Sequence, residues 1–133
     1  MAAEKIMVVD DNREFLEELR EILSLTGYDT IGVADSEKAV ETAYRTKPDL
    51  ILLDLRMKGK SGFEIARELR QDSSISDIPI VAMSGYFPVD KKGALLDIGF
   101  MRASLKKPFA VADLIAQIER ILGAKRRAPE GGN

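Results

Sequence analysis

Leu50-Ile51-Leu52-Leu53-Asp54, four aliphatic residues running into a carboxylate, is the most apolar run in the chain, and its reading decides the fold class. A run without polar alternation suits a strand buried on both faces, the mark of the centre of a parallel sheet. Lys5–Val9 has the same form and stops at Asp10 and Asp11, and residues 78–83 end on Ser84. Residues 30–34 and 101–105 complete five predicted strands. Helical spacing fills the intervals. Phe15, Leu16, Leu19, Ile22 and Leu23 share one face, with Gly27 where a helix would stop. Ser36 is the expected N-cap of a helix over residues 37–46, which ends before Lys47-Pro48. Further helices are predicted over Gly62–Gln71, over 89–98, and across Val111, Leu114, Ile115, Ile118, Ile121 and Leu122. Strands alternating with helices over short connections imply an α/β fold, a doubly wound five-stranded parallel sheet with right-handed crossovers. Such sheets bind ligands beyond the carboxyl ends of their strands. Asp10, Asp11, Asp54, Ser84 and the Lys106-Lys107-Pro108 turn therefore become candidates for one shared site.

Composition narrows the chemistry. The 133 residues are enough for one domain with a single core, and 45% of them are hydrophobic. A net charge of −2 argues against a nucleic-acid surface, which would need a basic excess. Cysteine and histidine are both absent, which excludes disulfides, thiolate chemistry, Cys or His metal ligation and an internal phosphohistidine. Any phosphohistidine must belong to another molecule. The amino terminus runs straight into two aspartates rather than forming a signal peptide, and no apolar run could span a bilayer, so the expected setting is cytoplasmic.

Three carboxylates at adjacent strand ends repel one another in a partly buried cleft unless a cation neutralises them. Oxygen-only ligands suit magnesium, with manganese as the alternative. Phosphoryl transfer to a carboxylate needs an in-line nucleophile, a metal on the equatorial oxygens and further donors around the developing charge. Asp54, the metal, Ser84 and Lys107 would supply that set.

VVDDN after the first strand, LLDLRM at the third, MSG at the fourth and KKPF after the fifth together resemble the signature of the response-regulator receiver domains. The likeness spans residues 4–122 and implies a flavodoxin-like (βα)5 fold with strand order 2-1-3-4-5. It implies that Asp54 is the phosphoacceptor, and that Mg²⁺ is held by Asp10, Asp11, Asp54 and the backbone carbonyl of Arg56. Ser84 would hydrogen-bond a phosphoryl oxygen and Lys107 would pair with it, while Lys107-Pro108 would be cis. Gly62 falls where the family keeps a glycine. The implied partners are a histidine kinase or histidine phosphotransfer protein as donor and a downstream protein as target, with no direct nucleic acid or membrane contact. The chain is expected as a monomer or weak homodimer, a switch that catalyses only its own phosphorylation and dephosphorylation. Residues 123–133 read as a disordered tail or linker stub.

Departures from the family pattern concern output rather than chemistry. Ser104 stands where receivers usually carry Tyr or Phe, Lys58 where proline is common, and Phe100 follows Gly99 where a small residue is common. Arg56 and Tyr86, each two residues beyond a site residue, are bulky groups expected to slow loss of the acyl phosphate. Lys106 and the Lys125, Arg126, Arg127 cluster read as solvated charge, the cluster complementing a helix carboxyl end. Three rival readings are weaker. A haloacid-dehalogenase-type phosphatase would want a second Asp where Arg56 stands, a flavodoxin-like cofactor module would not place Asp10 and Asp11 against a phosphate, and a structural receiver would not need the acidic set.

Overall fold

The computed structural model describes residues 3–85 and 101–127. Its elements are β1 (Lys5–Val9), α1 (Arg13–Leu25), β2 (Asp29–Val33), a 3₁₀ turn (Ser36–Lys38), α2 (Ala39–Thr46), β3 (Leu50–Asp54), α3 (Gly62–Gln71), β4 (Ile80–Ser84), β5 (Met101–Lys106) and α4 (Val111–Arg127). The helix expected over 89–98 lies outside the described residues, as do Tyr86, Gly99 and Phe100. All strand pairs are parallel and the order is β2-β1-β3-β4-β5, as expected for the doubly wound sheet.

The unbroken apolar runs have a direct physical use. Ile6, Val8, Leu50, Leu52, Val81 and Met83 point to the sheet face covered by α1 and α4, where Leu16, Leu19, Leu23, Leu114, Ile118 and Leu122 meet them. Met7, Val9, Ile51, Leu53 and Ile80 point to the other face, packed with Ala39, Ala43, Ile65, Ala66 and Leu69 of α2 and α3. Successive side chains of a strand face opposite sides, so only a run apolar at every position can serve two cores. With both cores filled, the polar ends of β1, β3 and β4 form one rim.

Several boundaries differ from the sequence reading. Pro79 has no N–H to pair, and β4 starts after it at Ile80, while the Pro79 carbonyl accepts from Ile51 N at 3.0 Å. Ser36 is not a helix N-cap. Asp35 takes that role by accepting from Glu37 N at 3.0 Å, and α2 begins three residues later at Ala39. The buried Ser36 hydroxyl is instead spent on a loop 22 residues away. The last helix continues five residues past the expected boundary at Leu122, to Arg127. Ion pairs hold this added turn: Arg126 binds Glu4 at the start of the chain and Glu119 at 3.3 Å, and Lys125 lies 4.0 Å from Asp49. Among the described residues no helix is long and apolar enough to cross a membrane.

Candidate functional site

Parallel pairing of β1 with β3 and of β3 with β4 sets the three strand ends side by side. The consequence is a cluster in which carboxylate oxygens of Asp10, Asp11 and Asp54 lie within 4.8 Å of one another. Asp10 and Asp54 are buried and Asp11 is half-buried. Each carboxylate has a fixed partner. Asp10 Oδ1 accepts from Asn12 N at 2.9 Å, Asp11 Oδ2 from Lys58 N at 3.0 Å, and Asp54 Oδ1 from Arg56 N at 3.3 Å.

Among the described residues, the ammonium group of Lys107 is ion-paired to the cluster. Lys107 Nζ donates to Asp10 Oδ2 at 2.6 Å and sits 3.7 Å from Asp54 Oδ2. Its backbone is anchored too, because Lys107 N donates to the Ser84 carbonyl at 2.7 Å. The Lys107-Pro108 peptide is cis, as expected. Lys106 is exposed. The sequence reading missed the aromatic support of this lysine. Lys107 Nζ lies 4.3 Å from the Phe15 ring centroid, and Phe109 meets Phe15 edge-on at 6.0 Å. Phe15 looked like one more apolar helix position, and the only hint of its second role was an aromatic residue after the Lys-Pro pair.

The three carboxylates repel one another, and at Asp54 the pull of Lys107 does not cancel burial and that repulsion. Burial, followed by repulsion from Asp10, pushes the Asp54 carboxyl up from 3.8 to about 6, against the pull of Lys107 and the Arg56 amide. An all-oxygen, electron-rich set with this residual repulsion fits a hard divalent cation such as Mg²⁺. Beside the cluster opens a cleft of about 620 Å³ lined by Asp11, Arg56, Met57, Lys58, Phe63 and Ser84, wide enough for a phosphoryl group. The fully buried Ser84 closes the β4 side of that cleft, and Arg56 stands on its rim.

The loop after Asp54 returns closely on its strand. Gly62 opens α3 behind a capping box in which Ser61 and Glu64 exchange bonds of 2.9 and 3.2 Å. A Cβ on Gly62 would fall 2.4 Å from the Asp54 carbonyl oxygen, so only glycine permits the approach. Asp10, Asp11, Asp54, Arg56, Ser84 and Lys107 therefore lie at this one edge, while Tyr86 falls outside the described residues. Ser104, by contrast, is exposed on β5.

Comparison with known proteins agrees with this geometry. The family profile described as the response regulator receiver domain matches residues 6–119. The chain is 33% identical over 122 residues to the phosphate regulon transcriptional regulatory protein PhoB of Pseudomonas aeruginosa, covering 92% of this chain and 53% of that protein. It spans about half the length of the curated relatives it matches. Among solved structures, the chemotaxis protein CheY4 of Vibrio cholerae superimposes with a TM-score of 0.83 at 27% identity, over 90% of this chain and 99% of that one. The receiver domain of the sensor histidine kinase PA1611 from Pseudomonas aeruginosa, solved with a magnesium ion in its active-site cleft, gives 0.82 at 31% identity, over 92% and 99% of the two chains.

Proposed function

We propose, since this chain belongs to the response regulator receiver family of two-component signalling, that it accepts a phosphoryl group on Asp54 from a histidine kinase or phosphotransfer protein and passes the signal on by protein contact. The observation that carries the reading is the convergence of Asp10, Asp11 and Asp54 beside the ammonium of Lys107. Asp10, Asp11, Asp54 and the Arg56 carbonyl would hold Mg²⁺, with Mn²⁺ as the alternative. The ion, when bound, draws charge from the phosphoryl oxygens and favours ionised Asp54.

In the transfer an Asp54 carboxylate oxygen attacks phosphorus, an O–P bond forms, and the P–N bond to the donor imidazole breaks. Lys107 moves its ammonium from Asp10 toward the new phosphoryl oxygens, and the Ser84 hydroxyl donates to another of them. That turn of Ser84, joined through its carbonyl to Lys107 N, is the start of the conformational shift a partner reads. Arg56 at the rim slows in-line attack by water on the acyl phosphate. The chain acts as a switch, monomeric or weakly dimeric, that catalyses its own modification.

The test is intact mass after incubation with Mg²⁺ and acetyl phosphate. Wild type gains one phosphoryl mass and Asp54→Ala gains none. Equal gain in both proteins would place the acceptor elsewhere.

A further inference from the structure

The loop between β3 and α3 is gripped in its middle by a residue from another element. Ser36, from the 3₁₀ turn before α2, is buried, and its Oγ donates to the Lys58 carbonyl at 2.7 Å while accepting from Lys60 N at 3.0 Å. Between those two residues Gly59 takes φ +80°, and a Cβ there would fall 2.7 Å from the same hydroxyl. The loop is thus wrapped around one oxygen atom. Asp35 holds the turn that presents it through the bond from Glu37 N at 3.0 Å. On the other side of the Lys58 residue, its N–H donates to Asp11 at 3.0 Å. Lys58 is therefore clamped between an acidic member of the cluster and Ser36, two residues after Arg56.

We infer that Ser36 is a positioning residue for the metal site: its hydroxyl fixes the loop so that the Arg56 carbonyl and Asp11 face a divalent cation together. This rests on the proposed metal reading and extends it to a residue that touches neither metal nor phosphate. A main chain held at one N–H and one C=O on either side of a single residue has little freedom to swing its neighbours away. The hydroxyl suits the task because it can donate and accept at once. Groups that orient metal ligands in this way typically change metal affinity 10- to 100-fold when removed.

The experiment measures Mg²⁺ affinity by titration calorimetry, well below the thermal transition, for wild type, Ser36→Ala and Ser36→Thr, with amide exchange of Lys60 followed by NMR in metal-free protein. Ser36→Ala is expected to bind Mg²⁺ about tenfold more weakly and to lose the protection of the Lys60 amide, with Ser36→Thr recovering both. Unchanged affinity in folded Ser36→Ala, or equal loss in the Ala and Thr variants, would overturn the proposal while leaving the metal reading intact. An unprotected Lys60 amide in wild type would overturn it without any variant. Absence of Mg²⁺ binding in wild type would remove the metal reading itself, and this proposal with it.

Discussion

Asp54→Asn should make the metal-free protein more stable, because the site holds a carboxylate under electrostatic load. The Asp54 carboxyl is buried beside Asp10 and is pushed up from 3.8 to about 6. It therefore binds its proton more tightly in the folded chain than in the unfolded one. The stability this contributes is complete below about pH 3.8 and is lost as pH rises through about 6. At pH 7.5 the ionised group costs the folded state about 3 kcal/mol relative to a neutral isostere, falling to about 1 kcal/mol at pH 4.5. Asparagine preserves the volume and removes the charge. Urea unfolding in EDTA at these two pH values measures the difference. With a slope of about 1.5 kcal/mol per molar, the variant midpoint should lie about 2 M higher at pH 7.5 and about 0.7 M higher at pH 4.5. Saturating Mg²⁺ should shrink or reverse the gap, since ligand at about 100 times its Kd adds about 2.7 kcal/mol to wild type. A variant no more stable than wild type at pH 7.5, or an advantage independent of pH, would refute the account of Asp54 as a carboxylate held under burial and repulsion.

Gly62→Ala places a methyl group 2.4 Å from the Asp54 carbonyl, so α3 must back away; thermal or urea unfolding should show a loss of about 1 to 3 kcal/mol. Lys107→Met removes the ammonium that holds Asp54 down, and an NMR titration of the Asp54 carboxyl in metal-free protein should show its midpoint above that of wild type. Arg56→Ala should shorten the lifetime of the phosphorylated protein several-fold, followed as loss of the phosphoryl mass after donor removal; an unchanged or longer lifetime would exclude Arg56 as a barrier to water.

Some of this protein was legible in its chain because the physics is local. A strand packed on both faces must be apolar at every position, so Leu50 to Leu53 declared a central strand and Asp54 its polar end. Parallel order then brought Asp10, Asp11, Asp54, Ser84 and the Lys106-Lys107-Pro108 turn to one edge, and the resemblance to receiver domains singled out Lys107. The predicted bounds of α3, Gly62–Gln71, also hold, and the capping box that the structure shows at its start is a short-range feature.

Other features were decided only by tertiary structure, because a hydroxyl, an ammonium or a helix end has several local options and takes the one its distant neighbours offer. Ser36 carries the chemistry of an N-cap, yet Asp35 caps the turn and burial of Ser36 against the β3–α3 loop gives its oxygen two main-chain partners instead. Phe15 follows helical periodicity whether it faces a leucine or a lysine, and only folding set Lys107 over its ring. The continuation of α4 to Arg127 depends on Glu4, more than 100 residues away in sequence, which no local pattern could announce. The chain thus determined by itself where polar groups end apolar runs; the fold determined which of those groups meet.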